Sequence, residues 1–215
     1  MKQVIGIIVS IIFIGSILLI SKLLEKHNKE ISRKFVHILL SNWWIIAILF
    51  FEDPIFAAIM PAIFVVINAL SIKFNLMKSI EREQNDGFGT VYYAISLLIL
   101  AIITFGKFHA PLIGLCAILV MGYGDGFAAI VGKNIKSPSY KIGKNTKKTL
   151  LGSLTMFVIS FVIIAVFLAF NGTIYWIVKS LSIALAATVL EAIAIKGTDN
   201  IIVPLSVAGL LYVLI

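Results

Sequence analysis

In the stretch GYGDGFAAIVGKN, residues 122–134, one carboxylate, Asp125, stands between glycines at the end of an apolar run, just before the chain turns basic. An ionisable side chain in hydrocarbon costs at least about 2.5 kcal/mol unless it is paired or hydrated, which makes Asp125 a functional candidate. Gly122, Gly124 and Gly126 strip side-chain bulk from around it, so a ligand or another helix can approach the backbone closely. The competing reading is a packing cluster in which Asp125 caps its span or pairs with a lysine of the following loop.

Further polar groups recur near the ends of other apolar runs. Glu191 lies in ATVLEAIAIKGTDN, with Asp199 and Asn200 eight and nine residues later. Together with Asp125 they offer three carboxylates and an amide, all hard oxygen donors of the kind that hold Mg²⁺ beside phosphate oxygens. Singly, Glu191 has Lys196 as a partner and Asp199 suits a helix cap. The loop GKNIKSPSYKIGKNTKKTLLGS, residues 132–153, carries six lysines, among them Lys133, Lys147 and Lys148, and no acidic residue. Lysines bind phosphate as point charges, and the N–H and hydroxyl groups near Thr149, Gly152 and Ser153 can complete an anion site at a helix start. A basic loop against anionic headgroups fits the same charges equally well.

In SRKFVH, Arg33 and His37 are four residues apart and share a helix face. His37 is a candidate general base or phosphate contact, or else a hydrogen-bonded interface residue. Arg82, in EREQNDGFGT, is a phosphate ligand or one more topological charge, and Glu81, Glu83 and Asp86 beside it read as a solvated face. No GxxxxGK[ST] phosphate loop occurs in the chain.

The elements that must position these groups are membrane helices. The chain of 215 residues is 60% hydrophobic and 13% charged, with a mean hydropathy of +1.08, against about 25% charged in a typical soluble domain. Apolar runs at 4–24, 35–51, 54–72, 90–105, 110–131, 150–170, 174–195 and 200–215 predict an all-helical, polytopic bundle of about eight spans forming one domain, 1–215. The second, fourth and eighth are short enough to be tilted or re-entrant. Barrel strands would be about 10 residues long and alternating, which these runs are not. The first run lacks a cleavage site and reads as a retained helix. Cys116, alone in an apolar run, says nothing about disulfides.

The net charge of +8 does not imply nucleic-acid binding, because the basic residues lie in short connections between spans. Fifteen of the eighteen Lys and Arg fall in alternate connections (22–34, 73–89, 132–149 and 196–199), against Lys2, Lys107 and Lys179 on the other side. The positive-inside rule makes the basic side cytoplasmic and puts both termini outside. His37, Asp125, Glu191, Asp199 and Asn200 then all fall at that cytoplasmic face.

With these residues in view, the chain resembles the membrane lipid-alcohol kinases that include phytol, farnesol and dolichol kinases, relatives of the phosphatidate cytidylyltransferases. The matching pieces, in order, are RKFVH (33–37), GFGTVYYAISLL (87–98), GDGFAAIVGK (124–133), KKTLLGSLTMF (147–157) and EAIAIKGTDNIIVPL (191–205). The resemblance implies transfer of the terminal phosphate of a nucleotide, CTP or else ATP, to the hydroxyl of a membrane isoprenoid or related lipid alcohol, with Mg²⁺. It implies Asp125, Asp199 and Asn200 at the metal and phosphate oxygens, Lys147 and Lys148 at the triphosphate, and Glu191 at the metal or a proton. It also suggests a bacterial or archaeal cell membrane.

Two departures stand out. Leu151 occupies the position where the family often has Glu, and the cytidylyltransferase signature of a histidine and paired glycines before an Asp-Arg run is absent. The alternatives are CDP-lipid synthesis, a small ion-coupled transporter and a non-catalytic lipid-binding protein. A transporter calls for polar residues at mid-span, where these runs hold few beyond Asn68 and Thr188.

Overall fold

In a membrane bundle apolar side chains also face outward to lipid, and small and polar residues pack among apolar ones inside. The helix Leu150–Phe170 shows this directly. Leu154, Val158, Val162 and Val166, four residues apart, are exposed, whereas Gly152, Met156, Ser160, Ile164 and Leu168 are buried. The structure, a computed structural model, describes residues 1–26, 28–74, 88–142 and 146–215. Arg82 therefore lies outside the described residues.

Helix α1 (Lys2–Glu25) is followed by α2 (Lys29–Ser41) and α3 (Trp43–Phe50), then α4 (Pro54–Phe74). Helix α5 (Gly89–Ala101) runs into a π-helical turn, Ile102–Lys107. Helix α6 (Pro111–Leu119) passes through a second π-helical segment, Val120–Asp125, into α7 (Gly126–Asn134). After strands β1 (Ser139–Ile142) and β2 (Thr146–Thr149) come α8 (Leu150–Phe170), α9 (Trp176–Ile193) and α10 (Asp199–Leu214).

Seven stretches among the described residues are long and apolar enough to cross a membrane, and α10 is a shorter apolar helix. The all-helical polytopic fold expected from the sequence is what forms. The expected second span begins earlier, because α2 and α3 together make Ile31–Phe50. In the basic connection, where helix breakers promised only a loop, β1 and β2 pair antiparallel, with Tyr140 opposite Lys148 and Lys141 opposite Lys147.

The core is anchored by indoles whose N–H groups are satisfied, as burial requires. Trp43 Nε1 donates to Ser10 Oγ at 2.9 Å and Trp44 Nε1 to the Pro111 carbonyl at 2.8 Å, both rings fully buried. Polar contacts sort the helix ends. Lys2 at the start of α1 meets Glu52 between α3 and α4, and Lys179 of α9 donates to the Leu214 carbonyl that ends α10. At the opposite ends lie the start of α2, the end of the second π-helical segment, β2, the end of α9 and the start of α10. This alternation brings the candidate residues together.

Candidate active site

Asp125 closes the second π-helical segment, in which one turn carries an extra residue, a distortion frequent at functional sites. Its carboxylate does not cap α7, and its partner is not a lysine of the basic loop. Lys34 Nζ, from α2, donates to Asp125 Oδ2 at 2.6 Å, and His37 Nε2, one turn on, lies 3.6 Å from the same oxygen. The glycines explain why α2 comes so near. A Cβ on Gly122 would stand 2.5 Å from Ser41 Cβ, and one on Gly124 would stand 2.5 Å from Met156 Sδ. Both neighbours would have to retreat, so the packing reading of the glycines and the site reading of Asp125 hold together.

Glu191, at the buried end of α9, is hydrogen bonded to Lys148 of β2 rather than to Lys196. Burial disfavours the Lys148 ammonium. The Glu191 carboxylate, with Asp199 and Asp125 beyond it, outweighs that and raises Lys148 above the usual lysine range. Asp199 begins α10, and its Oδ1 accepts the Asn200 N–H at 3.1 Å. The turn before it is fixed by Gly197, at φ +81°, where a Cβ would come 2.7 Å from the Gly89 Cα at the start of α5.

Asp125, Glu191 and Asp199 each present a carboxylate oxygen within 4.8 Å of the others. Carboxylates this close repel unless positive charge lies among them, and Lys34 and Lys148 supply two ammoniums. The side-chain amide of Asn200 donates to the Gly197 carbonyl at 3.2 Å, while its buried Oδ1 has no hydrogen-bond partner among the described residues. Three carboxylates and an unpartnered amide oxygen are a donor set that fits a hard divalent cation such as Mg²⁺.

These groups line one end of a cavity of about 1250 Å³, together with Arg33, Lys133, Lys147, Thr149, Gly152 and Ser153. Apart from Arg82, every residue singled out in the sequence for chemistry borders this space. The start of α8 is more internally committed than an open anion cradle. The Leu150 N–H donates to the Pro138 carbonyl, Leu151 to Ser137 Oγ and Gly152 to Thr149 Oγ1, and Ser153 Oγ bonds the Tyr140 hydroxyl. The exposed lysine side chains of the loop, not those N–H groups, are the donors left facing the cavity.

Two contributors escaped the sequence reading. Lys34 sits beside Arg33 and three residues before His37, the spacing that puts it on the histidine's face. Tyr93, buried on α5 with its ring 4.5 Å from that of His37, also borders the cavity, and its hydroxyl has no hydrogen-bond partner among the described residues. An aromatic in an apolar run gives no signal that it lines a site. Beyond His37 and Tyr93 the same cavity continues between apolar side chains of α1, α4 and α5.

No family model matches the chain, and no solved structure matches it significantly. Curated relatives do. The chain is 31% identical over 207 residues to a phytol kinase of Synechocystis sp., an alignment covering 91% of this chain and 85% of that one. It is 33% identical to phytol kinase 1, chloroplastic, of Arabidopsis thaliana, covering 85% of this chain and 67% of the relative. It is likewise 33% identical to a probable phytol kinase 1, chloroplastic, of Oryza sativa, covering 87% of this chain and 65% of the relative, so it spans about two thirds of the length of these plant proteins. A match of this extent to the Synechocystis protein establishes that the chain belongs to the phytol kinase family of membrane lipid-alcohol kinases.

Proposed function

We propose that this protein is a kinase of an isoprenoid alcohol that transfers the terminal phosphate of a nucleoside triphosphate, CTP or else ATP, with Mg²⁺. The carrying observation is that one cavity joins a cluster of three carboxylates and several lysines to an apolar space between membrane helices. A lipid alcohol has that division in one molecule: a hydroxyl to be phosphorylated and a tail that stays in hydrocarbon.

In this reading the hydroxyl lies at the boundary, where His37 Nε2 and the Tyr93 hydroxyl have no hydrogen-bond partner among the described residues. The alcohol oxygen attacks the γ-phosphorus, the bond from that phosphorus to the β–γ bridging oxygen breaks, and the nucleoside diphosphate leaves. The hydroxyl proton passes to His37 Nε2, which Asp125 stabilises as an imidazolium from 3.6 Å. Lys147, Lys148 and Lys133 hold the phosphate chain, with Arg33 at the rim, because phosphoryl transfer depends mainly on positioning and charge neutralisation. Asp125, Asp199, Glu191 and the Asn200 amide oxygen would hold Mg²⁺, which when bound neutralises charge developing on the phosphates. The excess of lysine and arginine at this end of a multi-pass membrane protein supports a site facing the cytoplasm.

The test is direct. Purified protein given γ-labelled CTP or ATP and a panel of isoprenoid alcohols is expected to yield labelled lipid monophosphate, with none formed in EDTA. A CDP-lipid product, or no transfer to any alcohol by folded protein, would overturn this assignment.

A further inference from the structure

We infer that Gly15 of α1 forms the neck through which the tail of the alcohol passes from the charged chamber into its groove, and so sets how far along its length the tail is read. This rests on the lipid-alcohol reading above. Beyond the charged residues the cavity is lined by Ile7, Ile11, Ile14 and Leu18 of α1 and by Met60 and Phe64 of α4. The α1 residues recur at the spacing of a single helix face. Ile11, and Ile63 and Ile67 on the α4 side, line the cavity yet remain exposed, so the groove is open sideways between α1 and α4, toward hydrocarbon. Its occupant is identified by continuity: an apolar chain whose polar end sits among His37, Asp125 and the lysines.

The height of Gly15 follows from helix geometry. Ser21 Oγ of α1 and Ser32 Oγ of α2 are 2.8 Å apart, which fixes a common level. From there Gly15 lies six residues, about 9 Å, down α1, and His37 lies five residues, about 7.5 Å, down α2. Gly15 is therefore just past His37, with about 12 Å of α1 between it and Ile7 deeper in the groove.

Glycine inside a helix is unfavourable relative to alanine, so its presence needs a reason. On the same helix, Gly6 has one: a Cβ there would come 2.7 Å from Phe51 Cε1. At Gly15 a Cβ would meet no heavy atom within 4 Å, so no packing requires it, and what the missing side chain leaves is room in the cavity. Gly209 of α10 is equally unobstructed but lies outside the cavity.

A Cβ at position 15 meets no heavy atom within 4 Å, so Gly15→Phe directs its ring from open space into the neck. Each methylene kept out of an apolar groove costs about fourfold in affinity, so excluding two or more should lower the ratio of kcat/KM for geranylgeraniol over geraniol by at least about tenfold, with Gly15→Leu intermediate. Gly209→Phe should keep the unmodified ratio. An unchanged ratio in Gly15→Phe overturns the neck, even if both rates fall together.

Thiol labelling gives an answer independent of catalysis, because the native Cys116 is buried. In Gly15→Cys, saturating geranylgeraniol and saturating geraniol should each slow maleimide labelling at least about fivefold, because both tails begin beside residue 15. Equal labelling with and without geranylgeraniol overturns the groove whatever reaction the charged end performs. A failure to phosphorylate any alcohol beside intact protection counts against the kinase reading alone.

Discussion

Lys34–Asp125 and Lys148–Glu191 are the same chemical pair in two different mountings. The first joins two membrane helices, with side chains 9% and 11% exposed, and the glycine-faced approach of α2 to the second π-helical segment holds it. The second joins α9 to a two-stranded hairpin, with the lysine 23% exposed and the glutamate 5%. Moving the first lysine means sliding a helix. The second rides on a short two-stranded element, and under the proposed function its more exposed lysine would leave Glu191 for a phosphate oxygen. Under the proposed function the inner pair would fix charge in place, while the outer pair would keep a cation ready for the phosphate.

Breaking the inner pair should have the largest effect. Asp125→Asn should lower turnover at least about 100-fold and, by leaving Lys34 buried without its counter-charge, cost about 3 kcal/mol of stability in detergent. The double variant Lys34→Met, Asp125→Leu should recover most of the thermal stability and none of the activity. Near-normal turnover in Asp125→Asn would remove the inner pair from the chemistry.

The outer pair should behave differently. Lys148→Met should raise the nucleotide KM about tenfold, a charge-assisted hydrogen bond contributing about 1.5–3 kcal/mol, and destabilise less than Asp125→Asn does. Equal destabilisation would erase the contrast between the mountings. Since Glu191 raises the Lys148 pKa, the ammonium and its stabilising contribution are fully present below the ordinary lysine value, about 10.4, and are lost only as pH climbs through the higher folded value. The effect of Lys148→Met on nucleotide KM should therefore be the same at about pH 7 and about pH 9.

The smallest effect is expected between the pairs and the apolar groove. Tyr93→Phe removes one hydroxyl that has no hydrogen-bond partner among the described residues, so the KM for the alcohol should rise about threefold to tenfold while the nucleotide KM holds, consistent with a single hydrogen bond of about 0.5–1.5 kcal/mol. A change in nucleotide KM instead would move Tyr93 to the wrong end of the cavity.

Much of this arrangement can be read without coordinates. The spans are legible because each must carry a long apolar run, and the site's end is legible because carboxylates and basic residues fall at alternate helix termini. Asp125, Glu191, Asp199 and Asn200 stand out because an ionisable or amide group in such a sequence needs an explanation. Their partners are harder to see. Choosing between Arg33 and Lys34 as the residue facing Asp125 depends on the rotation of α2 by a fraction of a turn, which packing against Gly122 decides. The hairpin has no alternating apolar pattern to announce it, since Lys141, Lys147 and Lys148 occupy strand positions. Tyr93 is hidden because its surroundings in sequence are as apolar as a lipid-facing stretch, and the groove beside Gly15 arises from two helices distant in sequence.

The hairpin's register has one more consequence. Lys141 and Lys147 stand directly opposite each other, and like charges in that position oppose strand pairing, in a two-stranded element that is marginal by itself. A polyphosphate seated beside them would screen that repulsion, which makes strand pairing and anion occupancy two sides of one equilibrium. The protein would then hold its hairpin most firmly when the donor is present, and each backbone amide between β1 and β2 would exchange its hydrogen more slowly as the nucleotide concentration rises.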